Sequence, residues 1–197
     1  ITHHQYLGCK YFHDLNERIP RKEILILKTR LEYYCWKFND RCSIDILGSF
    51  RREVKTSGDI DVLLNHQDII TTVDLENNDK LLQSFATFLR ERGFLVDHLT
   101  KDGKSKYMGM CKLEGKPVRR IDIRLIPSNC RGAAILYFTG SGEFNRIMRT
   151  WAIQLGYKIN EYGLWKKEDN GEFTFCECSY DEQLIFTELG IPWFEPP

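Results

Sequence analysis

Residues 48–61 read GSFRREVKTSGDID: a Gly-Ser turn, a doubled arginine, and two aspartates one residue apart at the mouth of the apolar run IDVLL. On a strand, residues i and i+2 share a face, so Asp59 and Asp61 project together while Ile60 and Val62 turn to the core. Two carboxylates held that close repel, and at least one of an unliganded pair has a raised pKa. A divalent cation removes that penalty. Downstream, RRIDIRLI (119–126) repeats the arrangement: Asp122 shares a face with Arg120 and Arg124, while Ile121, Ile123 and Leu125 form the apolar side. If the two strands are neighbours, three carboxylates meet at one point.

All-oxygen carboxylate ligation suits hard ions such as magnesium, with manganese able to substitute, and such ions are commonly completed by substrate phosphates. Two of them about 3.5–4 Å apart clamp the attacking and leaving oxygens of an in-line displacement. The cationic turn then acquires a purpose. Gly48 lets the backbone approach a phosphate, Ser49 offers a hydroxyl and an amide at a helix N-terminus, and Arg52 can fork onto phosphate oxygens. A lone Asp-x-Asp is common on solvated sheet faces, so the specificity lies in the order and spacing of the whole set.

The 197-residue chain is long enough to bury a real core, with 42% hydrophobic and 13% aromatic residues. No apolar window approaches the roughly 18–20 residues of a membrane span, so a soluble chain with no membrane partner is expected. Lysine plus arginine balances aspartate plus glutamate at 28 each, so any nucleic-acid affinity must come from local patches. Seven cysteines without a CxxC pair fit a reducing, intracellular compartment. Cys176 and Cys178 read as alternating residues of one strand, and His3 and His4 as terminal residues rather than ligands. The chain does not begin with methionine, which reads as a fragment or a processed chain.

Around the site, Ile24, Leu27, Leu31, Tyr34 and Phe38 keep a helical spacing that Pro20 can open, after a connector. CSIDIL is a strand ending in the Gly-Ser turn, and FRREVKT a short helix. Residues 78–93 form a helix with Leu81, Leu82, Phe85, Phe88 and Leu89 on one face and Gly93 as its stop. Residues 94–127 are strand-rich, with EGKPV as a tight turn. The expectation is an α+β fold, a mixed sheet with helices on one face. A second lobe begins near the turn YFTGS (137–141). It is expected to hold a helix striped by Phe144, Ile147, Met148, Trp151, Ala152 and Leu155, then a small hairpin and a last helix ending at Gly190.

The combination G-S-x-R-R, S-G-D-x-D, R-R-I-D-I-R, and Y-F-T-G-S with F-N-x-x-M-R resembles the family X DNA polymerases, of the DNA polymerase beta type, over nearly the whole chain. The resemblance implies a nucleotidyltransferase palm with its connector over residues 1–133. It implies a C-terminal subdomain that closes on the nascent base pair over 134–197. It implies that Asp59, Asp61 and Asp122 hold two magnesium ions, with Asp122 facing the primer 3′-hydroxyl. Arg18, Gly48, Ser49, Arg52, Gly58, Tyr137, Phe138, Gly140 and Asn145 are then the residues around the incoming dNTP. Lys106, Arg120, Arg149 and Tyr162 face DNA, and Arg124 exchanges partners on closing between Asp61 and the Glu161–Tyr162 pair.

The activity implied is template-directed addition of dNMP to a primer in short-gap repair, by base excision or end joining. The chain is expected to act as a nuclear monomer on primer-template or gapped DNA, with repair proteins recruited through segments outside it. Gly142 stands where polymerase beta carries an acidic residue, and EGKPV is shorter than the loop of template-independent terminal transferase. Neither the family's lyase domain nor its helix-hairpin-helix modules occur in these residues, so DNA binding by the chain should be weak and steeply salt-dependent. Another nucleotidyltransferase and a non-catalytic DNA-binding fragment are the alternatives.

Overall fold

The computed structural model describes residues 1–100 and 103–196; Pro197, the last residue of the expected second lobe, lies outside them. The chain opens with α1 (His3–Lys10) and α2 (Phe12–Asn16), then β1 (Ile19–Pro20) and the long α3 (Arg21–Phe38). Next come β2 (Cys42–Ile46), α4 (Gly48–Arg51), β3 (Thr56–Ser57), β4 (Ile60–His66), α5 (Thr72–Asn77) and α6 (Leu81–Glu91). The sheet is completed by β5 (Leu95–His98), β6 (Lys106–Lys112) and β7 (Val118–Leu125). Then follow α7 (Arg131–Thr139), α8 (Gly142–Gln154), β8 (Tyr157–Asn160), β9 (Gly163–Lys167), β10 (Phe173–Phe175) and α9 (Glu182–Glu188).

The main sheet has the order β2-β4-β7-β6-β5, with β4 and β7 parallel and the other neighbours antiparallel. Alternation sorts its faces. Ile44, Ile46, Ile60, Val62, Leu64, Ile121, Ile123 and Leu125 join Ile24, Leu27 and Leu31 of α3 and Leu82, Phe85 and Leu89 of α6 in one buried cluster. Each such side chain contributes about 1.5–3 kcal/mol by leaving water. The opposite face carries Asp61 and Asp122 at one end, while Leu63 packs with Leu47, Ile126 and the α7 residues Ala134 and Ile135. A third cluster, built on Met148, Ala152, Ile159, Leu164, Ile185 and Phe186, holds the C-terminal helices to the three-stranded sheet β10-β9-β8.

Several expectations are corrected. The helix over FRREVKT is confined to Gly48–Arg51, because Glu53 adopts a left-handed backbone (φ 59°) and Thr56–Ser57 pairs with Ile19–Pro20 instead. The connector holds α1, whose Thr2 and Gln5 form a capping box and whose Leu7 is buried. YFT is not a turn but the last turn of α7, which ends at Gly140 (φ 59°). This helix is apolar nearly all round, so it shows no stripe. On α8 only Met148 and Ala152 of the expected stripe are buried; Ile147, Trp151 and Leu155 are exposed. Cys176 and Cys178 lie after β10, at a 3₁₀ turn rather than on a strand.

One core contact gives no sequence signal. Arg119, 2% exposed, donates through Nε and Nη2 to both Glu23 oxygens at 2.7 and 3.0 Å, and through Nη1 to the Glu17 carbonyl at 2.9 Å. It ties β7 to the first turn of α3. Replacing Glu23 with Ala leaves a buried guanidinium short of its main partner and should lower the unfolding free energy in urea titration by about 3–5 kcal/mol. A loss below about 1 kcal/mol, the scale of a surface pair, would refute this account.

Candidate active site

The parallel register of β4 and β7 sets Ile60 against Ile121 and Asp61 against Asp122, so the two carboxylates stand side by side on one face. Asp59, one step before β4, completes the group: each aspartate can offer an oxygen such that all three lie within 4.8 Å of one another. Burial, and secondly the charge of Asp122, push Asp61 up to about 6, against the pull of Arg52 and Arg124. Burial also raises Asp122, against Arg120, Arg124 and Lys106. Asp122 Oδ1 is buried without a hydrogen-bond partner. A three-carboxylate oxygen set with an unsatisfied buried acceptor and repelling charges fits a hard divalent cation.

Beside the carboxylates lies a cleft of about 400 Å³. All nine residues expected around a nucleotide line it: Arg18, Gly48, Ser49, Arg52, Gly58, Tyr137, Phe138, Gly140 and Asn145. Gly48 has φ 59°, and a Cβ there would collide with the Asp61 carboxylate, so this glycine is required twice over. Ser49 Oγ donates to Ser57 Oγ at 2.7 Å, and Arg18 Nη2 to the Thr56 carbonyl at 2.8 Å. Arg52 donates to the Thr139 carbonyl, and Asn145 Nδ2 to the Tyr137 carbonyl at 2.7 Å. Both of these hold the C-terminal end of α7 against the cleft.

Residues 18–128 match the family described as DNA polymerase beta palm, and residues 134–197 match DNA polymerase beta thumb. The chain belongs to the family X DNA polymerases. It is 34% identical over its full length to DNA polymerase lambda of Rattus norvegicus and 30% identical to DNA polymerase lambda of Arabidopsis thaliana. It is 23% identical over its full length to DNA nucleotidylexotransferase of Xenopus laevis. It spans 35%, 39% and 44% of the lengths of these three relatives.

Within this family X chain, the other expected positions are spread around the carboxylates. Arg120 pairs with Asp59, and the expected Arg124–Asp61 ion pair is not formed. The register explains the exchange. Ile121 lies opposite Ile60, so the next step outward sets Arg120 against Asp59, whereas Arg124 falls opposite Leu63. Arg124 instead stands 5.2 Å over the Phe138 ring, and Lys106 lies opposite it on β6. Tyr162, like Phe138 and Phe175, packs against the buried cluster of Leu47, Leu63 and Ile126, with Glu161 next to it in the connection between β8 and β9. Arg149 is exposed, its Nε donating to the Asn145 carbonyl at 3.2 Å, one turn beyond the cleft.

Sequence reasoning missed the partner of Arg52. Arg51 donates to both Glu182 oxygens at 2.8 and 2.7 Å and to Thr139 Oγ1 at 2.7 Å, joining α4 to α7 and α9. The doubled arginine was visible, but Glu182 lies 131 positions away and only the fold brings it close. Cys176 and Cys178 gather no third ligand: the aspartate trio is the metal-capable group among the described residues. No described helix is long and apolar enough to cross a membrane.

The raised Asp61 carries a pH signature. A carboxyl whose folded value exceeds its unfolded one withdraws stability as pH rises from about 4 to 6, and the loss is complete at neutral pH. Asp61→Asn, measured without divalent metal, should therefore raise stability by about 2 kcal/mol at pH 7.5 and give no such gain at pH 4. Equal effects at both pH values would contradict the assigned cause.

Proposed function

We propose that this chain is the nucleotidyl-transferring part of a template-directed DNA polymerase, adding a deoxynucleoside monophosphate to a primer 3′-hydroxyl and releasing pyrophosphate. The observation that carries the reading is Asp61 opposite Asp122, with Asp59 beside them, at the wall of a cleft that also presents Ser49, Arg52 and Arg18. Residues 1–133 are assigned as the palm with its connector and 134–197 as the unit that closes on the base pair. Asp59, Asp61 and Asp122 would hold two magnesium ions, manganese being able to substitute, and the metals would supply charge neutralisation at the attacking and leaving oxygens.

The chain's own residues bind and orient. Arg52 and Arg18 neutralise and fork onto triphosphate oxygens, with the Gly48–Ser49 turn and Gly58 allowing close backbone approach. Tyr137, Phe138 and Gly140 flank the sugar, and Asn145 and Arg149 face the edges of the base pair. Lys106, Arg120 and Tyr162 position the DNA without reading sequence. For Asp59 to hold a metal, Arg120 would have to release it, with a phosphate as its second partner. Arg124, held by an aromatic face rather than by an ion pair, is free to exchange between Asp61 and the Glu161–Tyr162 pair. Gap filling in repair, in a nuclear monomer that reaches repair proteins through other segments, is the setting proposed. The short turn between β6 and β7 favours template-directed synthesis over template-independent addition.

Primer extension on a duplex with a one-nucleotide gap tests the assignment. Asp122→Ala should reduce single-turnover incorporation by on the order of 10³-fold or more while the folded state persists. Equal incorporation by the two proteins would sink the mechanism. Asn145→Ala should lose efficiency or fidelity on template, which a general nucleotidyltransferase would not show. Arg124→Ala should alter nucleotide-induced closure followed by stopped-flow fluorescence, and an unchanged closing phase would remove Arg124 from the switch.

A further inference from the structure

Away from the catalytic cleft, the end of α3 and the start of β2 bring two cysteines together. The Asn39 N–H donates to the Cys35 carbonyl and the Cys42 N–H to the Asn39 carbonyl, both at 3.0 Å, which folds the connection tightly back. Cys42 shares the core face of β2 with Ile44 and Ile46 and packs against the cluster that contains Cys35. Cys35 is 1% exposed, whereas Cys42 is half-buried at the rim. His66 stands directly opposite Cys42 in the β2–β4 register, with its Nδ1 accepting the Asp68 N–H at 3.1 Å.

We propose that Cys42 is a site of reversible oxidation by peroxide and that Cys35 resolves it, forming an intrachain disulfide between α3 and β2. The Cys42 thiol beside it, and burial, raise Cys35, and the Cys35 thiol lowers Cys42. Cys42 is the one of the two that solvent reaches, while Cys35 is 1% exposed, so Cys42 meets peroxide first. Burial instead raises Cys111, Cys130, Cys176 and Cys178. The Cys42 sulfur attacks one peroxide oxygen and the O–O bond breaks. The second oxygen leaves as water with the thiol proton, and Cys42 becomes a sulfenic acid. The Cys35 sulfur then attacks the Cys42 sulfur, the S–O bond breaks, and a second water departs with the Cys35 proton. Two thiols and one hydrogen peroxide give one disulfide and two waters.

β2 runs from Cys42 straight into Leu47 and the Gly48–Ser49 turn, so the bond would fix the strand that carries that turn. The inference does not depend on the polymerase reading. The full chain is treated with hydrogen peroxide, free thiols are blocked with iodoacetamide, and digests are read by mass spectrometry, with exposed Cys9 as the internal reference. The expected product is a Cys35–Cys42 linked peptide pair about 2 Da lighter than the dithiol and reversed by dithiothreitol. In Cys35→Ala, dimedone should capture Cys42 as a sulfenic acid several-fold more than in the wild type, and Cys42→Ser should give neither product. Cys42 remaining alkylatable at peroxide levels that oxidise Cys9, or equal dimedone capture with and without Cys35, would overturn the proposal. The wild-type measurement stands even if a variant fails to fold.

Discussion

The parallel pairing of β4 with β7 forces Asp61 and Asp122 onto adjacent positions of one sheet face, and their mutual repulsion organises much of what surrounds them. Neither carboxylate can retreat, because the residues on either side of each are fixed in the core by the alternation of the strand. Burial raises both groups, and the chain answers with cations rather than with solvent: Arg52 and Arg124 act on Asp61, and Arg120, Arg124 and Lys106 on Asp122. Gly48 belongs to the same constraint. Its missing side chain leaves room for the Asp61 carboxylate beside the turn.

This concentration of charge also explains how the two halves of the chain are joined. The short α4 ends in two arginines that reach the C-terminal half at one residue: Arg51 binds the Thr139 hydroxyl and Arg52 its carbonyl. Arg51 then engages Glu182 bidentately, geometry that makes an ion pair directional as well as attractive. Thr139 is 3% exposed, so neither interaction is diluted by water. The wall of the cleft at Gly140 is therefore positioned by the turn on the opposite wall, and a substrate that draws on Arg52 acts on both.

What was legible in the sequence follows from the range of each signal. β2, the start of β4 and β7 were readable from alternation, and α3 and α6 from a one-sided stripe, because each pattern is local and matches its burial. The carboxylate trio needed one further inference, that β4 and β7 are neighbours, which no local pattern supplies. α7 escaped because a helix buried on nearly every side has no stripe, and α8 misled because Ile147, Trp151 and Leu155 continue its stripe without being covered. The Arg120–Asp59 pair escaped for a finer reason. Sharing a face with Asp122 does not say which residue of the next strand lies opposite; the register sets Arg120 level with Asp59 and Arg124 opposite Leu63.

The two Arg-Arg doublets, 51–52 and 119–120, show how adjacent identical residues are given opposite duties by backbone geometry alone. On β7, neighbours point to opposite faces, so Arg119 enters the core to meet Glu23 while Arg120 faces the carboxylates and meets Asp59. On α4, successive residues turn by about 100°, so Arg51 leads away to α9 while Arg52 lines the cleft. In each doublet one guanidinium is consumed by a structural carboxylate and the other is left at the site with a partner it can exchange. Arg119 is buried and multiply bonded, hence fixed. The Arg120 side chain is 43% exposed, and its carboxylate partner has a competing claim from any divalent cation. The cations left with exchangeable partners at the cleft are thus the ones whose neighbours in sequence have already been spent on holding the fold.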